Sequence, residues 1–215
     1  MEFATWLLYI VLALVAVLSP GPAILLSISN SIRFGISKVV LSSIGNICGL
    51  LILSTAALFG LGAVLKTSTT LFFIIKIIGA AYLIYLGIRQ WRSSSNFFGN
   101  IKIRTASEQA KSNRRFFMEG FLIAMTNPKA ILFFTALFPQ FINTQQALVP
   151  QFLIMTFTFM VISFVALVSY GLLAKKAKGW LSTEQRAKWF NRTLGSLFVV
   201  IGIGLLQLKA EKSAL

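Results

Sequence analysis

Three ionisable side chains stand in or beside long apolar runs: Lys76, Glu119 and Lys129. A charge at membrane depth is costly, so each is a candidate for binding or ion coupling before any structural role is considered. Lys129 is the strongest, because it directly follows Asn127-Pro128 inside the apolar run from Phe116 to Phe138. Lys76 is weaker, since a lysine near a span end can reach water along its own stem. Glu119 precedes Asn127 by two helical turns on a similar face and could bind an ammonium or relay a proton. An ion pair with Arg115 or another loop cation is the competing explanation for it.

A second interruption, Ser19-Pro20-Gly21-Pro22, cuts the apolar run from Phe3 to Ile32. Ser19-Pro20 and Asn127-Pro128 both read as an N-cap followed by proline at the first helical position, where the missing N–H costs nothing. Each would start a half-helix in mid-membrane. If the two halves of the chain are inverted, the half-helices from Ala23 and Ala130 point their positive N-terminal ends at each other. Converging helix N-termini bind anions, and with Lys129 beside them a carboxylate is the natural ligand. The site expected from the sequence is therefore Ser19, Pro20, Gly21, Pro22, Asn127, Pro128 and Lys129. The competing explanation is that both prolines only kink packed helices. Asn30 and Asn46 add two amides within spans, where interhelical hydrogen bonding is the default role and lining the cavity the sharper one. Tyr82 and Tyr85 could line the pathway, with aromatic packing the better reading, and Cys48 reads as inert packing.

The elements that must hold these residues are membrane spans. Apolar residues make up 57% of the 215, against roughly half in a soluble domain, and only 12% are charged. Mean hydropathy is +0.83. Windows of membrane-spanning length fall near 3–32, 39–65, 70–91, 116–138, 148–174 and 193–208. The fold expected is an all-α integral membrane protein with six transmembrane helices, the first and fourth broken by proline. The first window begins with Met1-Glu2, has no basic leader and is too long for a signal peptide, so it reads as a retained span.

The 20 Lys and Arg residues are unevenly placed. Arg33 and Lys38 follow span one, seven lie from Arg89 to Arg115, and six from Lys175 to Arg192. These three loops face the cytoplasm by the positive-inside rule, which puts both termini outside. Three spans per half is an odd number, so a second half resembling the first enters the membrane from the other side. Two faint echoes support an inverted repeat: Ala-Ile-Leu follows both breaks, at 23–25 and 130–132, and Lys76-Ile77-Ile78-Gly79 resembles Arg192-Thr193-Leu194-Gly195. The expected units are a first three-helix repeat over 1–91, a basic cytoplasmic linker over 92–115 and a second repeat over 116–215. Trp180, Leu181, Trp189 and Phe190, alternating with basic residues, suit a short interfacial helix.

Composition also excludes functions. With no His and one Cys, disulfides and Cys/His metal sites are not available within the chain. No phosphate-binding Gly-rich motif ending in Gly-Lys-Ser or Gly-Lys-Thr is present, so transport would be secondary. Five acids, four of them terminal or in loops, offer no catalytic dyad, so the chain does not read as an enzyme and needs no cofactor. The net charge of +15 reflects topology, not nucleic-acid binding.

These motifs, together with the series Gly35, Gly45 and Gly49 and the run Asn127-Pro128-Lys129-Ala130-Ile131-Leu132-Phe133-Phe134, resemble the LysE/RhtB family of amino-acid exporters over essentially the whole chain. The resemblance implies six spans and efflux of amino acids or close derivatives across a bacterial inner membrane, coupled to the proton gradient. Family members differ in substrate, and a lysine exporter would be expected to offer acidic groups, so the near absence of acid favours a neutral amino acid. Proton coupling would fall to Glu119 or to a lysine such as Lys76. Expected partners are the amino-acid substrate and membrane lipids, with small-residue faces on spans two and six permitting a homodimer. Two alternatives stay open: a membrane scaffold that binds anionic lipid or a partner through its basic loops, and a cation exporter of the same superfamily.

Overall fold

Proline decides where the helices break. In the computed structural model, which describes residues 3–67, 69–92, 112–143, 145–174 and 184–207, α1 (Phe3–Leu18) and α2 (Pro22–Phe34) form an apolar helix pair bent by 56°. Pro20 and Pro22 have no N–H to donate and their rings clash with the preceding turn, so the helix cannot run through. α2 ends at Gly35, whose φ of 85° lies in the left-handed region that glycine enters without penalty, and whose N–H caps Ser31 O. The chain turns there into α3 (Ile36–Thr67), which is followed by α4 (Thr69–Arg92).

The second half opens with α5 (Asn113–Thr126), bent by 51° at Asn127 from α6 (Pro128–Leu132) and the helical turns that continue it. Those turns are a π-helical stretch, Phe133–Leu137, and a 3-10 stretch, Phe138–Phe141. α7 (Leu148–Leu172) and α8 (Glu184–Gln207) complete the chain. Before α7, Gln151 holds the loop through both ends of its amide: Asn143 N donates to Oε1 at 2.9 Å, and Nε2 donates to Asn143 O at 2.9 Å.

The described residues contain helix and no strand, and two helices, over Ile36–Gly60 and Leu148–Leu172, are long and apolar enough to cross a membrane; the two bent pairs raise the number to four. Apolar side chains such as Leu14, Ile52, Leu122, Phe157, Val165 and Val200 are exposed on the outside of the bundle. Water would penalise that surface, whereas hydrocarbon does not. The chain is a multi-pass membrane protein.

Contacts between helices give their relative directions. Asn46 meets Ser163 and Val39 packs at Gly171, so α3 and α7 run antiparallel. Gly87 packs on Gly195 and Ala80 on Gly202, so α4 and α8 do too. Tyr9 bonds Met155 O at 2.9 Å while Ser31 bonds Gly171 O, so the first broken span runs with α7. Lys38 bonds Asn113 at 2.6 Å and Gly49 packs on Ala124, so α3 runs with α5. At this last contact a Cβ on Gly45 would strike the backbone carbonyl of Phe117, and one on Gly120 that of Ser42. The core lies beside the breaks, where Tyr9, Phe133, Phe134, Phe138, Phe152 and Phe159 pack edge to face or tilted.

Two boundaries differ from the sequence reading. α8 starts at Glu184, two turns before the apolar window, because Asn191 bonds Gln90 of α4 at 2.8 Å and draws the polar turn into the bundle. Trp189 and Phe190 therefore lie in the early turns of α8, with Phe190 packed against the cluster of Ile24, Ile28, Leu167 and Ala174, while Trp180 and Leu181 lie outside the described residues. Asn113, Arg114 and Arg115, assigned to the linker from sequence, form the first turn of α5; residues 93–111 lie outside the described residues.

Candidate functional site

Breaking α1 from α2 leaves carbonyls at one end and amides at the other with no helical partner. The carbonyl end is satisfied from across the bundle. Tyr170 of α7 donates its hydroxyl to Leu18 O at 3.1 Å, and Lys129 donates Nζ to Ser19 O at 2.8 Å. The amide end belongs to α2. Its N-cap is Gly21, in extended conformation with φ of −164°, and Pro22 occupies the first helical position. Ser19 thus does not cap the helix as the sequence suggested: a second proline at 22 moves the helix start two residues on, and Ser19 contributes its carbonyl to the C-terminal end of α1. No side chain caps α2, so the first-turn amides of Ala23 and Ile24 keep their donors.

The break at Asn127 follows the sequence reading. Asn127 ends α5 in extended conformation, and its Oδ1 accepts from Lys129 N at 3.1 Å, the geometry of an N-cap, with Pro128 first in α6. That cap fixes the direction in which α6 leaves and so aims the Lys129 stem at the other break. Gly21 sits against it: a Cβ there would lie 3.5 Å from Lys129 Nζ. Among the described residues no carboxylate pairs with Lys129. The ammonium is left with one carbonyl partner and capacity for two more hydrogen bonds.

Ser19, Gly21, Asn127 and Lys129 separate two cavities and line both. On one side is a small chamber of about 40 Å³, walled by Val17, Leu50, Phe133 and Phe159 and reached by Asn46 and Ser163. At roughly 10–15 Å³ of such space per molecule it holds a few waters. On the other side is a vestibule of about 740 Å³ that also takes in Pro20, Pro22 and Pro128 and is bounded by Tyr82, Tyr85, Arg89 and Arg92 of α4. Both tyrosines thus line a cavity, where the sequence had suggested packing. The Lys129 to Ser19 bridge lies at the partition.

The other candidates fall as follows. Asn46 lines the chamber and its Oδ1 accepts from Ser163 Oγ at 3.2 Å, joining α3 to α7. Asn30 is buried and donates to Ser42 Oγ at 3.1 Å, tying α2 to α3. Glu119 accepts from Arg115 Nε at 3.3 Å, one helical turn away, and is not brought to the breaks. The side chain of Lys76 lies outside the described residues. Sequence reasoning missed Ser163, Tyr170 and Arg89. A serine within the apolar run of α7 was a legible signal; which wall it faces was not.

Half-helices meeting over a cavity inside an apolar bundle are the hallmark of a membrane transporter. The chain belongs to the LysE type translocator family, whose model matches residues 14–209. It is 37% identical to the homoserine/homoserine lactone efflux protein of Salmonella typhimurium over 94% of this chain and 96% of that one. It is 32% identical to the leucine efflux protein of Salmonella typhimurium, with 94% of each chain covered. An uncharacterized membrane protein of Vibrio cholerae shares 33% identity over 98% of this chain and 100% of its own. No solved structure matches the chain.

Proposed function

We propose that this protein is a secondary exporter of amino acids or close derivatives, neutral ones in preference, moving them out of the cytoplasm across the bacterial inner membrane in exchange for protons. The observation that carries the reading is the Lys129 bridge from the capped start of α6 to the broken end of α1. An α-amino acid is a zwitterion, and one helix break offers a pole for each of its charges. The carbonyl end of α1 suits an ammonium, and the uncapped amides of α2 suit a carboxylate. Lys129 now occupies the ammonium pole. An entering substrate would take Ser19 O for its own ammonium and leave Lys129 to pair with its carboxylate, so binding itself removes the bridge at the partition. The substrate-binding set is Ser19, Pro20, Gly21, Pro22, Asn46, Asn127, Pro128 and Lys129, with Asn30 as support.

Direction and substrate class come from the relatives, whose names specify efflux of homoserine or leucine, both neutral amino acids. The walls agree, since no acid lines either cavity. Six crossings in two inverted halves, 1–91 and 116–215 joined by 92–115, fit the helix directions: if the first broken span and α7 run inward, α3 and α5 run outward, and α4 and α8 oppose each other. The basic loops then face the cytoplasm and both termini lie outside. Glu119, an acid within α5, is the candidate for proton exchange on the cytoplasmic side. Lipids and a second copy of the chain are the expected membrane partners.

The test is loss of labelled amino acids from preloaded cells carrying empty vector, this protein or Asn127→Ala. Faster loss of neutral amino acids with the protein, abolished by the variant at equal membrane abundance, is the expected result. Equal retention in all three strains would sink the exporter reading.

A further inference from the structure

Besides the residues of the two breaks, the chamber wall carries a polar pair, Asn46 and Ser163. Among the described residues the Asn46 amide nitrogen has no hydrogen-bond partner, although the residue is buried and its Oδ1 holds Ser163. Interhelical adhesion would require only the Asn46 to Ser163 bond. It leaves unused the amide nitrogen, a donor to spare on a buried residue of the chamber wall.

We infer that Asn46 and Ser163 form a side-chain subsite that selects amino acids carrying a short side-chain hydroxyl over purely aliphatic ones of similar size. The inference rests on the zwitterion reading of the helix breaks. With the substrate's charged groups held at Ser19 O, the α2 amides and Lys129, its side chain extends toward Asn46 between the apolar walls of Val17, Leu50 and Phe159. Those walls accept methylene groups from either kind of substrate. There a hydroxyl accepts from the Asn46 amide and donates to Ser163 Oγ, whereas a methyl group displaces water from the amide and leaves it unpaired. A site built around hydrogen bonds discriminates strongly against the analogue that lacks them, while an apolar wall distinguishes weakly between substrates that differ by one group.

The experiment measures efflux of labelled homoserine and leucine from the same preloaded cells for wild type, Asn46→Leu and Ser163→Ala, each normalised to protein in the membrane. Wild type should favour homoserine. Asn46→Leu should shift the homoserine-to-leucine ratio toward leucine by roughly tenfold or more, and Ser163→Ala, the milder change, in the same direction by less. If the pair served only to hold α3 against α7, both rates would fall together and the ratio would stay constant, which would overturn the inference. A wild type that favours leucine would overturn it as well. A wild type that exports neither compound, with the protein verified in the membrane, would overturn the exporter reading and this inference with it.

Discussion

Lys129 does two jobs that a neutral residue could not combine. Its backbone N–H receives the Asn127 cap and its ammonium closes the carbonyl end of α1, 110 residues earlier in the chain. Replacing it by Met keeps the length of the stem and removes the charge; efflux should fall at least tenfold while the protein remains in the membrane, as measured with labelled substrate and by immunoblot. Tyr170 holds the neighbouring carbonyl with a neutral hydroxyl. Tyr170→Phe should lower stability in detergent by about 1 kcal/mol, read from thermal unfolding, and slow efflux without abolishing it. The Arg115 to Glu119 pair is half in water and one helical turn long, so by itself it contributes only a few tenths of a kcal/mol.

Helices carry this site only because two of them come close enough to fix the rest. α3 and α5 touch through Gly45, Gly49 and Gly120, and at Gly45 and Gly120 the space for a Cβ is occupied by backbone of the opposite helix. Such small-residue contacts replace the hydrophobic driving force that lipid does not supply. Gly45→Ala should therefore force α5 away from α3, lowering the midpoint of thermal unfolding by roughly 5 °C or more and displacing Asn127 at the end of α5. Gly60→Ala is the control: nothing lies within 4 Å of a Cβ there, and the midpoint should hold. The π-helical stretch Phe133–Leu137 directly after α6 belongs to the same set of local departures, since such turns concentrate near functional sites.

The molecule is organised about its two breaks, with a basic vestibule on one side and an apolar core on the other. If the loops rich in Lys and Arg lie inside, a cysteine placed at Ser94 in a Cys48→Ala background should resist a membrane-impermeant maleimide in intact cells, and one at Ser213 should react. The reverse pattern would invert the topology. Neutralising Lys102, Arg104 and Lys111 should leave efflux within about twofold of wild type, because none of them belongs to the proposed substrate-binding set. A loss of function there would favour the scaffold reading.

Local chemistry made much of this legible in advance. Proline lacks an N–H and stops a helix wherever it falls, so both breaks could be placed from Ser19 to Pro22 and at Asn127-Pro128. The hydrocarbon thickness sets the length of an apolar run, so the windows at 39–65 and 148–174 lie close to α3 and α7. What could not be read was anything that depends on a neighbour distant in the chain. Ser19 was assigned a cap that Gly21 takes, Glu119 was given a possible share in a site it does not reach, and Ser163 was passed over. Local sequence determines where the backbone must depart from a helix; only packing decides which freed carbonyl meets which cation, because a hydrogen bond forms over about 3 Å in space whatever its separation along the chain.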